Sequence, residues 1–185
     1  MAHFSYSKDY QGFMDIVLDN PDRYLPIVQF LDKLVCQESE LSQLERELIG
    51  AYVSLLNGCD FCYGVHEAIA KSLNADASIL LALQTDVEKA AIEPKLNPVF
   101  LLAKKLTENP SKIVKTDIQA MTKVGWSEKT AEDVIGIVSL FCFLNRLVDG
   151  FGIKGNAKYF AQMGKGFSQY DGYEAFVSSQ LAALK

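Results

Sequence analysis

Apolar residues recur at intervals of three and four from end to end of the chain, and helix-capping signals punctuate them. Leu44, Leu48, Ala51 and Leu55 form one such stripe. Asn20-Pro21 and Asn97-Pro98 each read as an N-cap followed by proline at the first helical position, where no N–H is needed. Ser42-Gln43-Leu44-Glu45, Thr85-Asp86-Val87-Glu88 and Thr116-Asp117-Ile118-Gln119 read as capping boxes, with Glu or Gln three residues after the cap. Gly125 and Gly150 read as C-terminal stops. These signals predict helices near 9–19, 26–37, 43–57, 60–73, 77–83, 86–93, 98–108, 117–124, 128–149, 156–164 and 171–183. No segment shows strand alternation between hairpin turns, and no Gly/Ser/Pro-rich linker divides the chain. The expectation is one all-α domain over residues 1–185.

The pattern also echoes itself. Ser42, Glu47 and Val53-Ser54-Leu55-Leu56 align without gaps on Ser127, Glu132 and Val138-Ser139-Leu140-Phe141. Continuing that register sets Cys59, Cys62 and His66 on Leu144, Leu147 and Phe151. An internal duplication in which one copy carries chemistry and the other packs is one reading. Two amphipathic helices that share residues by chance is the other.

Composition narrows the function classes. A hydrophobic fraction of 49% in 185 residues is ample for a core, and the formal net charge is −5. Nucleic-acid binding requires clustered Lys and Arg, so no nucleic-acid partner is expected. No basic amphipathic stretch suggests membrane docking. The segment Met1 to Gly12 lacks an apolar signal-peptide core. The longest apolar run, Val134 to Leu144, is too short to span a bilayer. The expected location is cytoplasmic. The four cysteines are Cys36, Cys59, Cys62 and Cys142. In that compartment a close Cys-x-x-Cys pair is more often catalytic or metal-binding than structural. Cys36 and Cys142 lie within apolar helical patterns and read as small core residues.

The informative segment runs from Glu47 to His66. Asn57-Gly58 ends one helix, since both residues tolerate the left-handed conformation. Cys59 then starts the next helix, Cys62 lies in its first turn, and His66 one turn on. Spacings of three and four set all three on one face. A helix N-terminus and a neighbouring histidine both lower a thiol pKa. Cys62, inside the first turn, is the better placed thiol for such activation, and Cys59, at the edge, the better resolving thiol. Residues three apart on a regular helix have Cβ atoms about 5–6 Å apart, whereas a disulfide prefers about 3.5–4.5 Å. A bridge therefore requires a tightened turn or a Cys59 just outside the helix. His66 reads as a proton relay, against the structural role usual for a lone histidine. Glu47 shares a face with Ala51 and Ser54 and approaches His66 if the two helices pack as a hairpin. Otherwise it is an ordinary solvated glutamate.

Glu47, Cys59, Cys62 and His66 together form Glu-x11-Cys-x2-Cys-x3-His. That pattern resembles the antioxidant motif of alkylhydroperoxidase-D-like proteins, within the carboxymuconolactone decarboxylase superfamily. The run Asn145-Arg146-Leu147-Val148-Asp149-Gly150-Phe151 resembles the peroxidase-related branch of that superfamily. The resemblance implies a compact all-α fold and an alkyl hydroperoxide reductase activity. By analogy Cys62 attacks the peroxide and becomes a sulfenic acid, Cys59 condenses with it to a disulfide, and Glu47 and His66 assist proton transfer. It further implies a hydroperoxide substrate, a dithiol or protein electron donor, and a homo-oligomer, trimer or hexamer. No cofactor and no metal is required. One departure is Phe61, where members nearest the characterised enzyme often carry a second histidine. Three rivals are weighed against this reading. A Cys2His zinc site, with Glu47 as fourth ligand, lacks the second separated ligand pair usual for structural zinc. A thioredoxin-like oxidoreductase requires a strand before the cysteines. A non-enzymatic helical interaction module predicts unreactive cysteines.

Overall fold

The computed structural model describes residues 3–167, 169–170 and 172–183. The helices are α1 (Phe13–Asp19), α2 (Pro21–Val35), α3 (Gln43–Leu56), α4 (Asp60–Ser72), α5 (Ala77–Thr85), α6 (Asn97–Glu108), α7 (Lys115–Lys123), α8 (Glu128–Phe151), α9 (Ala157–Phe167) and α10 (Gly172–Ala183). Short 3-10 turns occupy Ser5–Ser7, Pro94–Leu96 and Pro110–Lys112. Among the described residues there is no strand. The fold is all-α, as the periodicity predicts. Residue 171, the predicted start of the last helix, lies outside the described residues.

The caps explain several boundaries. Ser42 Oγ accepts the Glu45 N–H at 3.3 Å, and Glu45 Oε2 accepts the Ser42 N–H at 2.6 Å, closing the box that starts α3. Ser127 Oγ accepts the Thr130 N–H at 3.1 Å to start α8. Other expectations fail. No helix forms over 86–93: Thr85 is the last residue of α5, and Asp86 caps a turn by accepting the Glu88 N–H at 3.0 Å. Thr116 is not a cap; Asp117 accepts the Val114 N–H at 2.8 Å, and α7 starts at Lys115. α2 begins at Pro21 and runs through Pro26, where the proline forfeits only one early backbone bond. Gly150 does not stop α8; Gly152 does, at φ 74°. The internal echo is also limited. The break after Asn57 has no counterpart in α8, which continues unbroken through Leu144, Leu147 and Phe151.

α3 lies at the centre, against α4, α5, α6 and α8. α8 covers its other side and also meets α2, α6 and α7, while α9 packs along α4 and α10 along α2. Ile49 and Val53 of α3, Ile69 of α4, Phe100 of α6 and Ile137 and Phe141 of α8 are among the buried residues at this junction. Burial of each such side chain stabilises the fold by roughly 1.5–3 kcal/mol. By length and composition α8 is apolar enough to cross a membrane. Here it is a core helix, and it carries Asn145, 1% exposed, inward. Arg46, also buried, donates to the Leu34 and Gln37 carbonyls at 3.3 and 2.6 Å and so ties the end of α2 to α3.

The α3–α8 contact is close at Gly50, where an added Cβ would lie 2.3 Å from the Phe141 ring. Gly50→Ala gains about 1 kcal/mol in helix propensity. It also overpacks a buried aromatic contact, at a cost of about 1–3 kcal/mol and more where the ring cannot shift. Overpacking wins, because Phe141 also holds the His66 ring at 4.5 Å between centroids. Thermal unfolding of Gly50→Ala should show a lower Tm than the parent; a raised Tm would mean the ring yields freely.

Candidate active site

The α3–α4 turn sets the geometry. Gly58 takes φ 71°, and the N–H groups of Gly58 and Cys59 reach back to the Leu55 and Ser54 carbonyls at 3.1 and 2.9 Å. This satisfies the last carbonyls of α3. Cys59, with extended backbone at φ −87° and ψ 90°, is then the N-cap of α4. It therefore sits just outside the helix, the placement that a Cys59–Cys62 bridge requires. Cys62 lies in the first turn and His66 one turn on, and all three side chains are buried.

Glu47 comes from α3. It is 0% exposed, which excludes the solvated reading. Its Oε2 lies 2.7 Å from His66 Nδ1, so the hairpin brings the two together. Its Oε1 accepts the Tyr173 hydroxyl at 2.6 Å. Both carboxylate oxygens are thus occupied, as a buried charge requires. The Tyr173 phenol is pushed well above its ordinary value, first by burial and then by the adjacent Glu47 charge.

The two thiols differ. Cys59 is lowered from its ordinary value, chiefly because the Cys62 thiol donates to it; the Cys62 backbone N–H also contributes, although no cap hydrogen bond forms. Cys62 is raised, chiefly through that same interaction and then by burial. This reverses the expectation that Cys62 holds the lower value. The physical reason is the hydrogen bond between the two sulfurs: the accepting Cys59 is easier to ionise and the donating Cys62 harder. Cys62 and His66 nevertheless line one largely apolar cavity, with Phe13, Leu144, Tyr159 and Met163 among its walls; Cys59 does not line it. Phe61 also faces that cavity and packs its ring 5.6 Å from Tyr159.

Three groups escape the motif. Asn145 Nδ2 donates to Ser54 Oγ at 3.0 Å, its Oδ1 accepts from Asn57 at 2.8 Å, and its side chain hydrogen-bonds Cys62. Asp149, one turn further along α8, faces Cys59 and opposes its ionisation. Both belong to the run from Asn145 to Phe151, and their spacing of four sets them on one face. Tyr173 had no signal, being 126 residues from Glu47. Cys36 and Cys142 are half-buried, and burial pushes the Cys36 thiol up to about 12. Among the described residues, no group of three or more His, Cys, Asp and Glu side chains is placed to hold a metal ion.

Residues 22–104, which include all four motif residues, match the carboxymuconolactone decarboxylase family. An uncharacterized protein of Bacillus subtilis strain 168, YdfG, is 25% identical over 122 residues, covering 66% of this chain and 83% of that protein. The fold is similar to the alkylhydroperoxidase AhpD core of an uncharacterized peroxidase-related protein from Ralstonia eutropha JMP134. There the TM-score is 0.73 at 24% identity, over 81% of this chain and 78% of that one. A peroxidase-related protein from Silicibacter sp. TM1040 gives a TM-score of 0.74 at 24% identity, with the same coverage. Within this fold, α3 and α4 carry the motif, while Asn145 and Tyr173 lie beyond the matched family segment.

The thiol pairing is testable directly. Cys62→Ala removes the donor that most favours the Cys59 thiolate, so the midpoint of Cys59 alkylation against pH should rise. A midpoint that stays put would assign the lowering to the helix N-terminus instead.

Proposed function

We propose that the chain is a thiol-dependent peroxidase that reduces organic hydroperoxides through a Cys59–Cys62 dithiol/disulfide cycle. The observation that carries this reading is the cavity: Cys62 and His66 open onto the same apolar space, and Glu47 sits 2.7 Å behind the imidazole. Position in the cavity makes Cys62 the attacking thiol, although Cys59 holds the lower pKa. As Cys62 Sγ attacks the terminal peroxide oxygen, the S–O bond forms and the O–O bond breaks. The Cys62 proton passes to His66 and on to the departing alkoxide, giving an alcohol and a Cys62 sulfenic acid. The Cys59 thiolate then attacks the Cys62 sulfur. The S–S bond forms, the S–O bond breaks, and hydroxide leaves as water with a proton delivered by the relay. A lowered Cys59 suits this second role, since a thiol that ionises more readily supplies more of the attacking thiolate. An external dithiol, small or protein-borne, returns the pair to the reduced state.

Glu47 acts through His66 by stabilising the imidazolium that forms. Help of this kind is worth about 10²–10⁴ in rate. His66→Phe and Glu47→Gln should each depress hydroperoxide consumption with a dithiol donor, and the double variant should lose little more, because parts of one relay are not additive. Losses that multiply, or a silent Glu47→Gln, would remove Glu47 from the relay. Cys62→Ser should abolish turnover. Wild-type protein that consumes no hydroperoxide with any dithiol donor would overturn the peroxidase reading itself.

A further inference from the structure

The last described helix reaches into the centre of the relay. Tyr173 lies in the first turn of α10 and is buried. Its hydroxyl sits 2.6 Å from Glu47 Oε1 and 3.3 Å from His66 Nδ1, while Glu47 Oε2 is 2.7 Å from that same Nδ1. A phenol donates one proton, and the carboxylate is the stronger acceptor. The bond to Oε1 fixes the rotation of the carboxylate, so Oε2 has one partner left to face. His66 must then present Nδ1 as N–H, which leaves Nε2 with its lone pair free to take a proton.

We propose that Tyr173 is the third member of the relay, a positioning residue that holds Glu47 in place and thereby fixes His66 as its Nδ1–H tautomer. Aromatic rings pack against both His66 and Tyr173. Phe141 of α8 packs edge-on against the imidazole, and α9 supplies Phe167, whose ring lies 4.8 Å from that of Tyr173. Charged and titratable groups around Glu47 and Tyr173 come from α2 as Asp32, from the residue that caps its end as Cys36, and from α3 itself as Arg46. Among the described hydrogen bonds, the contacts to the Glu47 carboxylate come from His66 and Tyr173.

The placement of Tyr173 is built into α2. Asp32, 4% exposed, accepts the Glu174 N–H at 3.2 Å, and Gln29 donates to Glu174 Oε1 at 2.9 Å. Asp32 thus caps the start of α10 from another helix. Gly172 allows this approach: it takes φ 92°, and a Cβ there would lie 2.3 Å from Asp32 Oδ1. A side chain at this position would push the first turn of α10, and Tyr173 with it, away from α2.

The catalytic consequence rests on the peroxidase reading, but the tautomer can be read without turnover. Nitrogen-15 imidazole spectra of the reduced protein separate the two neutral tautomers, and exposed His3 provides an internal reference. The wild type should show His66 protonated at Nδ1. Tyr173→Phe keeps the ring and removes only the hydroxyl, and it should give a mixture of the two tautomers with the fold retained. Gly172→Ala should give the same mixture with the phenol intact. Hydroperoxide kcat/KM of Tyr173→Phe should fall by about tenfold or more, less than the roughly 10²–10⁴ expected for loss of the acid–base group itself. A wild-type His66 protonated at Nε2, or a Tyr173→Phe spectrum that matches the wild type, would overturn the proposal. A wild-type spectrum in Gly172→Ala would overturn the role of the Asp32 anchor. Wild-type protein without peroxidase activity would instead refute the peroxidase reading and leave the tautomer result standing.

Discussion

A carboxylate with no exposure to solvent dominates the organisation of this molecule. Glu47 lies at the centre of the fold, and an isolated buried charge costs several kcal/mol unless it is paired and hydrogen-bonded. Two polar side chains meet that need, one from α4 and one from α10. The consequences spread outward. The α3–α4 hairpin must close tightly enough for His66 to reach Oε2, which the turn at Asn57-Gly58 achieves. α10 must return from the far end of the chain to deliver Tyr173, which requires an anchor on α2. Phe141 packs its ring against His66, and removing one polar partner leaves an uncompensated charge in an apolar setting.

The dithiol is organised by its position in the same turn. Cys59 ends one helix motif and begins the next and accepts from the Cys62 thiol, whereas Cys62 lines the cavity. Low pKa and access are therefore divided between two sulfurs. In our reading that division matches the two chemical steps, attack from the cavity and resolution from behind. α8 extends it, with Asn145 beside Cys62 and Asp149 beside Cys59.

Much of this was legible in the sequence because it is local. The α3 and α8 N-caps follow from Ser and its neighbours three residues on, and the Glu47–His66 approach follows from helical spacing across a short turn. Local signals also misled. Thr85 resembles a cap but continues α5, and Gly150 resembles a stop although the φ of 74° falls at Gly152. The hydrogen bond between the two sulfurs decided the thiol order, and composition could not supply it. Tyr173 was not legible, because a 126-residue separation carries no periodic signature and an isolated tyrosine near a C-terminal helix looks like core. Asn145 sat in a recognised run, but its partners Ser54 and Asn57 lie on another helix.

The most direct test of the account is to locate the first oxidised sulfur. Cys59→Ser cannot form the disulfide, so a sulfenic acid made by the attacking thiol should persist. After one equivalent of an organic hydroperoxide and a sulfenic-acid-specific trapping reagent, peptide mass spectrometry should place the adduct on Cys62 and leave Cys36 and Cys142 unmodified. Adduct on Cys36 or Cys142, or no adduct on Cys62 while peroxide is still consumed, would contradict a Cys62-centred cycle.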